Sequence, residues 1–158
     1  MSSWIDWAHD FAVAMEAGDW EKANELVPHA IPLNKQLGLK FLGREGDTLS
    51  ATMELTESVR TSLEGTVHGG ILATFADVVS AYALVGSYGA GNGVPVTTEL
   101  HIRYFRQPRS GPLKAEATVV HRGRQRLSTE CVIADADNRI LARSTATFAV
   151  MPLPERAS

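Results

Sequence analysis

The chain has 158 residues, 44% hydrophobic and 21% charged, with a net charge of −3 and a single cysteine, Cys131. That length suits one domain around one core, and so slight an acidic balance leaves no basic footprint for nucleic acid. One cysteine excludes an intrachain disulfide and a multi-cysteine metal site, and fits a reducing compartment.

The opening Met1-Ser-Ser-Trp-Ile-Asp-Trp7 has no basic segment ahead of an apolar run, so no signal peptide is read and a cytoplasmic location is expected. Trp4, Trp7, Ala8, Phe11, Ala12 and Met15 recur at helical spacing and predict an amphipathic helix that stops near Gly18. Asp19 can cap a second short helix carrying Trp20, Ala23 and Leu26, with Pro28 after it. Residues 1–30 thus read as a helical extension, Pro28 and Pro32 marking the connection to a main domain over residues 31–158.

Residues 38–44 and 48–56 read as the strands of a hairpin turning at Glu45-Gly46-Asp47, and residues 58–67 as a loop. A helix over residues 70–85 follows, apolar all round, which implies burial on nearly every side. The run from Gly69 to Ser87 approaches membrane-span length, but it opens on Gly-Gly and carries Asp77 in its middle. A charge at a bilayer centre is expensive, so a buried core helix is the better reading and no membrane partner is expected. After the turn-rich residues 89–93, Val96, Thr98, Leu100, Ile102 and Tyr104 alternate with Thr97, Glu99, His101, Arg103 and Phe105. Strands over 113–121, 127–134 and 140–150 complete the chain.

One helix hides its circumference only if a curved antiparallel sheet wraps it, which points to an α+β hotdog arrangement. The helix face away from the sheet still needs cover, from a second subunit or from the N-terminal extension.

Asp77 is the only carboxylate in this apolar run, and an ionised carboxylate there is costly unless paired or hydrogen-bonded. Position alone suits a satisfied structural aspartate as well as a catalytic one. Gly69-Gly70 stands where the loop enters the helix, and helix N-termini present unpaired N–H donors at a positive dipole end. Two glycines leave those donors unshielded, which suits a carbonyl oxygen becoming an oxyanion, although close packing would explain them too. Gly69 and Asp77 lie about 12 Å apart along one helix. If both act on one carbonyl, they come from different subunits of an isologous dimer.

The stretch Thr66-Val-His68-Gly69-Gly70-Ile-Leu-Ala-Thr-Phe-Ala-Asp77 resembles the signature of the phenylacetate-degradation-type (PaaI-like) hotdog thioesterases, with an acidic residue nine positions after the histidine. The resemblance continues through Val96-Thr-Thr-Glu-Leu-His-Ile-Arg-Tyr-Phe-Arg-Gln-Pro108 and spans roughly residues 35–151. It implies an acyl-coenzyme A thioesterase acting on an aryl or medium-chain acyl group, as a homodimer or dimer of dimers. No cofactor is implied, coenzyme A being part of the substrate. Gly69 would polarise the thioester carbonyl through its N–H, and Asp77 of the neighbouring subunit would be nucleophile or general base. His68 would orient the loop or contact the thioester, and Thr97 would hold the attacking water. Ser62 stands where relatives commonly carry Asn or Gln; a hydroxyl still hydrogen-bonds, with shorter reach.

The resemblance also places the basic turn Arg122-Gly123-Arg124, with Arg126 nearby, at the nucleotide end of coenzyme A, where arginine forks suit phosphate. A solvated basic hairpin would look the same. Arg103, Arg106 and Arg109 are weaker candidates. Gly89 to Gly93 follows a helix and precedes a strand, the reverse of a dinucleotide loop, and Gly86-Ser-Tyr-Gly89 lacks the nucleophile-elbow spacing. The five histidines never fall at metal-ligand spacing, so no metal is expected. A hotdog hydratase would need a histidine shortly after Asp77, and none occurs before His101. The remaining rival is a non-catalytic acyl-CoA-binding or regulatory hotdog protein.

Overall fold

The computed structural model describes residues 4–61, 63, 65–87 and 93–152. Ser62, and all but Gly93 of the turn expected at 89–93, lie outside the described residues. Helix α1 (Trp4–Ala17) ends at Gly18, whose φ of 70° is the left-handed conformation that glycine adopts without strain. Asp19 then caps α2 (Trp20–Ala30), its side chain accepting from Lys22 N–H at 3.0 Å. Two details differ from expectation. Helix α2 runs through Pro28 to Ala30, and a short helix α3 (Pro32–Gln36) replaces a plain connection. Pro32 sits at the start of α3, where a missing N–H costs nothing and the fixed φ already suits a helix.

Strands β1 (Lys40–Glu45) and β2 (Thr48–Met53) form the expected hairpin, and helix α4 (Gly69–Ala83) follows. Strands β3 (Val94–Tyr104), β4 (Leu113–Arg122), β5 (Arg126–Ala134) and β6 (Ile140–Met151) complete one six-stranded antiparallel sheet ordered β1-β2-β4-β5-β6-β3. The sheet curves around α4, which is the hotdog fold. Strand β3 lies at one edge, paired on one side only, with β6.

On α4, Leu72, Phe75, Ala76, Val79, Ser80 and Ala83 are fully buried, a stripe at steps of three, one, three, one and three. That stripe faces the sheet. Ile71, Val78, Ala81 and Tyr82 are only half-buried, so the all-round burial expected of this helix is not met within one chain. The N-terminal extension covers the C-terminal end of the second face. Phe11 stacks on Trp7 at 5.0 Å between ring centroids and packs 5.1 Å from Tyr82, which meets Phe41 edge-on at 5.3 Å. Asn34, itself buried, donates to the Tyr82 hydroxyl at 2.8 Å, and burial pushes the Tyr82 phenol above its ordinary range despite that bond. Arg44 donates to the carbonyls of Ala83 and Tyr82, satisfying the last turn of α4 with a cation at its negative end.

Cys131 is buried under the helix, where desolvation pushes its thiol up to about 12. It should stay unmodified by a thiol reagent in the native protein and react only on unfolding. A thiol-release assay would therefore read coenzyme A alone.

The β5–β6 turn is closed by Asp135. Its carboxylate accepts from the backbone N–H groups of Arg109, Asp137 and Arg139 and from the Arg139 guanidinium at 2.9 Å. Burial alone would raise this carboxyl. The N–H groups of Arg139 and Arg109 and the Arg139 charge outweigh it and hold the carboxyl below the usual carboxylate range. The Asp135 side chain has no accessible surface while Arg139 keeps about a quarter of its own, so solvent reaches the cation and holds the energy to the low end. Asp135→Ala should cost roughly 3 kcal/mol of stability at neutral pH. A carboxyl that titrates lower when folded gives its full stabilisation above the unfolded range and loses it as pH falls through the folded range. Chemical denaturation against pH should therefore show a wild-type stability lead that shrinks in acid.

Candidate active site

Strand β3 passes over α4, and a bulge decides which of its side chains face the helix. The β3–β6 register runs Thr97↔Phe148 and then Glu99↔Thr147, so Thr98 is an extra residue. An inserted residue reverses the alternation of faces. Thr97 therefore joins Leu100, Ile102 and Tyr104 on the helix side, opposite the buried Phe148, Ala146, Ser144 and Ala142. Unbroken alternation would have put Thr97 with Glu99 and His101, facing away. The expected alternation holds only beyond the bulge.

Re-aimed in this way, Thr97 Oγ1 donates to Asp77 Oδ1 at 2.7 Å. Asp77 is half-buried at the margin of the stripe that faces the sheet. The bond is charge-assisted when the carboxylate is ionised. It uses the single hydroxyl hydrogen of Thr97 and leaves that oxygen's lone pairs and Asp77 Oδ2 for another partner. Such a pair can receive a water or present a carboxylate oxygen to an electrophile.

At the other end of α4, His68 is the N-cap in extended conformation (φ −62°, ψ 130°), its ring Nδ1 accepting from Gly70 N–H at 3.0 Å. As an acceptor, Nδ1 is the ring nitrogen without a proton in this arrangement. The bond also explains the second glycine, since a Cβ on Gly70 would come within 3.1 Å of His68 Nδ1. The Gly-Gly pair thus presents one open donor, not two. Gly70 N–H is spent on the histidine, while Gly69 N–H has no acceptor among the described residues. The Gly69 carbonyl accepts from the Tyr104 hydroxyl at 2.9 Å. Just ahead, Val67 N–H donates to Gln107 Oε1 at 2.8 Å, and His68 N–H to the Val59 carbonyl at 3.3 Å. Tyr104 and Gln107 carried no signal in the sequence, because each meets the loop from 35 and 40 residues away.

Gly69 and Asp77 stand eight residues apart on one straight helix, about 12 Å. One carbonyl cannot touch both within one chain. In the basic turn, Arg122 pairs with Asp47 and donates to Ser87 Oγ, so its charge is largely engaged. Gly123 is required by the turn itself, where a Cβ would lie 2.8 Å from the Arg126 carbonyl. Arg124 is exposed. Among the described residues no group of three His, Cys, Asp or Glu side chains is placed to hold a metal ion, and no helix is long and apolar enough to cross a membrane.

The model of the thioesterase superfamily matches residues 64–142, half of the chain, from the loop before α4 into β6. The chain belongs to the thioesterase superfamily. A Saccharolobus solfataricus protein provisionally named an esterase, SSO1253, is 26% identical over 129 residues, 82% of this chain and 83% of its own. The Haemophilus influenzae thioesterase HI1161 superposes with a TM-score of 0.76 at 23% identity, over 88% of this chain and 94% of that one. The Escherichia coli PaaI protein of the phenylacetic acid degradation operon gives 0.71 at 20% identity, over 91% and 96%. At such identities the two structures speak for the fold, and the family match speaks for the chemistry. The protein is a hotdog thioester hydrolase.

Proposed function

We propose that this thioesterase is PaaI-like and hydrolyses an aryl or medium-chain acyl-CoA to the free acid and coenzyme A, in sites shared by two copies of the chain. The observation that carries the reading is the hydrogen bond from Thr97 on β3 to Asp77 on α4, the helix whose first N–H has no acceptor among the described residues. Gly69 of one subunit polarises the thioester carbonyl as oxyanion donor. Asp77 of the other acts as nucleophile or as general base, with Thr97 presenting its oxygen to the water. His68 holds the loop through its bond to Gly70. Ser62 stands six residues before His68 in place of an amide.

Two features favour the shared site. Strand β3 has an unpaired edge along which Val96 and Tyr104 are 40% and 49% exposed, and Ile71, Val78 and Ala81 on α4 lack full cover. A two-fold partner there, as a dimer or within a dimer of dimers, would cover both and bring a second α4 alongside. Exposed Arg124 supplies the cation for the phosphates of coenzyme A, on the Gly123 turn beside Arg122, whose own charge is shared with Asp47. No cofactor is required.

The test is a panel of acyl-CoA esters followed by thiol release, run on wild type and Asp77→Asn. Turnover that disappears in the variant supports the reading. Binding without turnover anywhere on the panel would overturn it.

A further inference from the structure

Gly69 N–H opens α4 directly after a short paired segment, so its position depends on how that segment is held. Residues 60–61 and 66–67 pair with each other outside the main sheet, through the Arg60–Val67 bridge and the Thr61 N–H bond to the Thr66 carbonyl. Besides the burial of Val59 and Val67, three hydrogen bonds among the described residues hold its inner end. Of these, His68 N–H to the Val59 carbonyl is long and stays within the same segment. The Tyr104 hydroxyl grips Gly69 itself. The third is Gln107, whose Oε1 accepts Val67 N–H at 2.8 Å. Val67 is 1% exposed, and a buried N–H left unpaired is expensive, so the loop must move if that acceptor is lost.

Gln107 is itself held from behind. Arg139 donates to its backbone carbonyl at 3.0 Å, and the same guanidinium is locked by buried Asp135. Asp135 also accepts from Arg109 N–H, two residues beyond Gln107. Contacts therefore run from a rigid ionic turn, through one exposed glutamine, to a loop residue two positions before the open donor. The amide orientation is fixed too: with Oε1 on Val67, Nε2 has no hydrogen-bond partner among the described residues.

We propose that Gln107 is a positioning residue of this thioesterase, fixing the Gly69 oxyanion donor by accepting Val67 N–H from the anchored Asp135–Arg139 turn. The proposal rests on the oxyanion role given to Gly69. Misplacing a catalytic group by about 1 Å can cost on the order of 100-fold in rate, and Tyr104 still holds Gly69 when Gln107 is removed. The expected loss is therefore smaller, roughly tenfold in kcat, with KM within about twofold because ground-state binding is untouched.

Two variants test it. Gln107→Met matches the shape and removes the acceptor; Gln107→Glu keeps an acceptor for Val67 N–H and removes the amide NH2. The expected result is a roughly tenfold lower kcat in the methionine variant and kcat within about threefold of wild type in the glutamate variant. Amide hydrogen exchange over residues 65–70 should be faster in Gln107→Met and protected in Gln107→Glu. Equal damage in both variants would assign the NH2 group to the substrate and overturn positioning, as would unchanged exchange and kcat in Gln107→Met. The exchange measurement needs no turnover. Should wild type fail on every acyl-CoA, the proposed function falls, while exchange still decides whether Gln107 anchors the loop.

Discussion

Asp77→Asn should lower kcat on the preferred acyl-CoA by about 10²–10⁴-fold, the range spanned by a lost general base, while leaving the fold in place. Asparagine is the same size, and its carbonyl oxygen can still accept from Thr97 Oγ1, so the bond that orients position 77 survives. What disappears is the negative charge that takes a proton from water or attacks the carbonyl. Thermal unfolding should shift little, and binding of a non-hydrolysable acyl-CoA analogue should persist, because Asp77 is half-buried and no ion pair to it occurs among the described residues. Thr97→Val separates the two halves of this pair. It removes the hydroxyl at nearly constant volume and should leave a partly active enzyme if the hydroxyl only orients the carboxylate and water. Undiminished hydrolysis in Asp77→Asn would end the proposal that this carboxylate carries the reaction.

Much of this architecture is legible in the sequence because one physical demand dominates it. An apolar helix with Gly-Gly at its head and a single carboxylate inside has to be wrapped, and only a curved sheet wraps it. The periodicities that predict α4 and strands β4 to β6 come within two residues of the structure, since hydrophobic burial sets them locally. The departures occur where local rules compete. At Pro28 the proline reads as a stop, yet α2 continues to Ala30. At Thr98 unbroken alternation is the simplest reading, and a bulge reverses it in order to turn Thr97 toward Asp77. Nothing in the composition of Val96 to Tyr104 announces that extra residue; only pairing with β6 reveals it. The count of open donors was equally hidden. Two adjacent glycines read as two free N–H groups, and the histidine ring that occupies one of them is visible only in three dimensions. Tyr104 reads as one more strand residue and Gln107 as the residue before Pro108, because their partners lie across the fold.

Gly69→Pro should lower kcat/KM by about 10²–10³-fold, the effect of deleting one oxyanion donor, without disturbing the helix. Backbone N–H groups are ordinarily beyond the reach of mutagenesis, but this one occupies the first helical position, where proline is accommodated. The preceding residue must be extended to tolerate it, and His68 already is, at φ −62° and ψ 130°. The added Cβ is also tolerated, meeting the Tyr104 ring at an ordinary 3.5 Å. Gly69→Ala adds the same carbon while keeping the N–H, and should lose far less activity. The two inactive variants then test the shared site together. If Gly69 and Asp77 of different subunits form each site, an Asp77→Asn subunit contributes a sound Gly69 and a Gly69→Pro subunit a sound Asp77. Each heterodimer then holds one intact site and one doubly damaged one. Equal mixing after subunit exchange makes half of the dimers mixed, so activity should return to about a quarter of wild type. If each site lay within one chain, every site in the mixture would lack one group, and no activity would return.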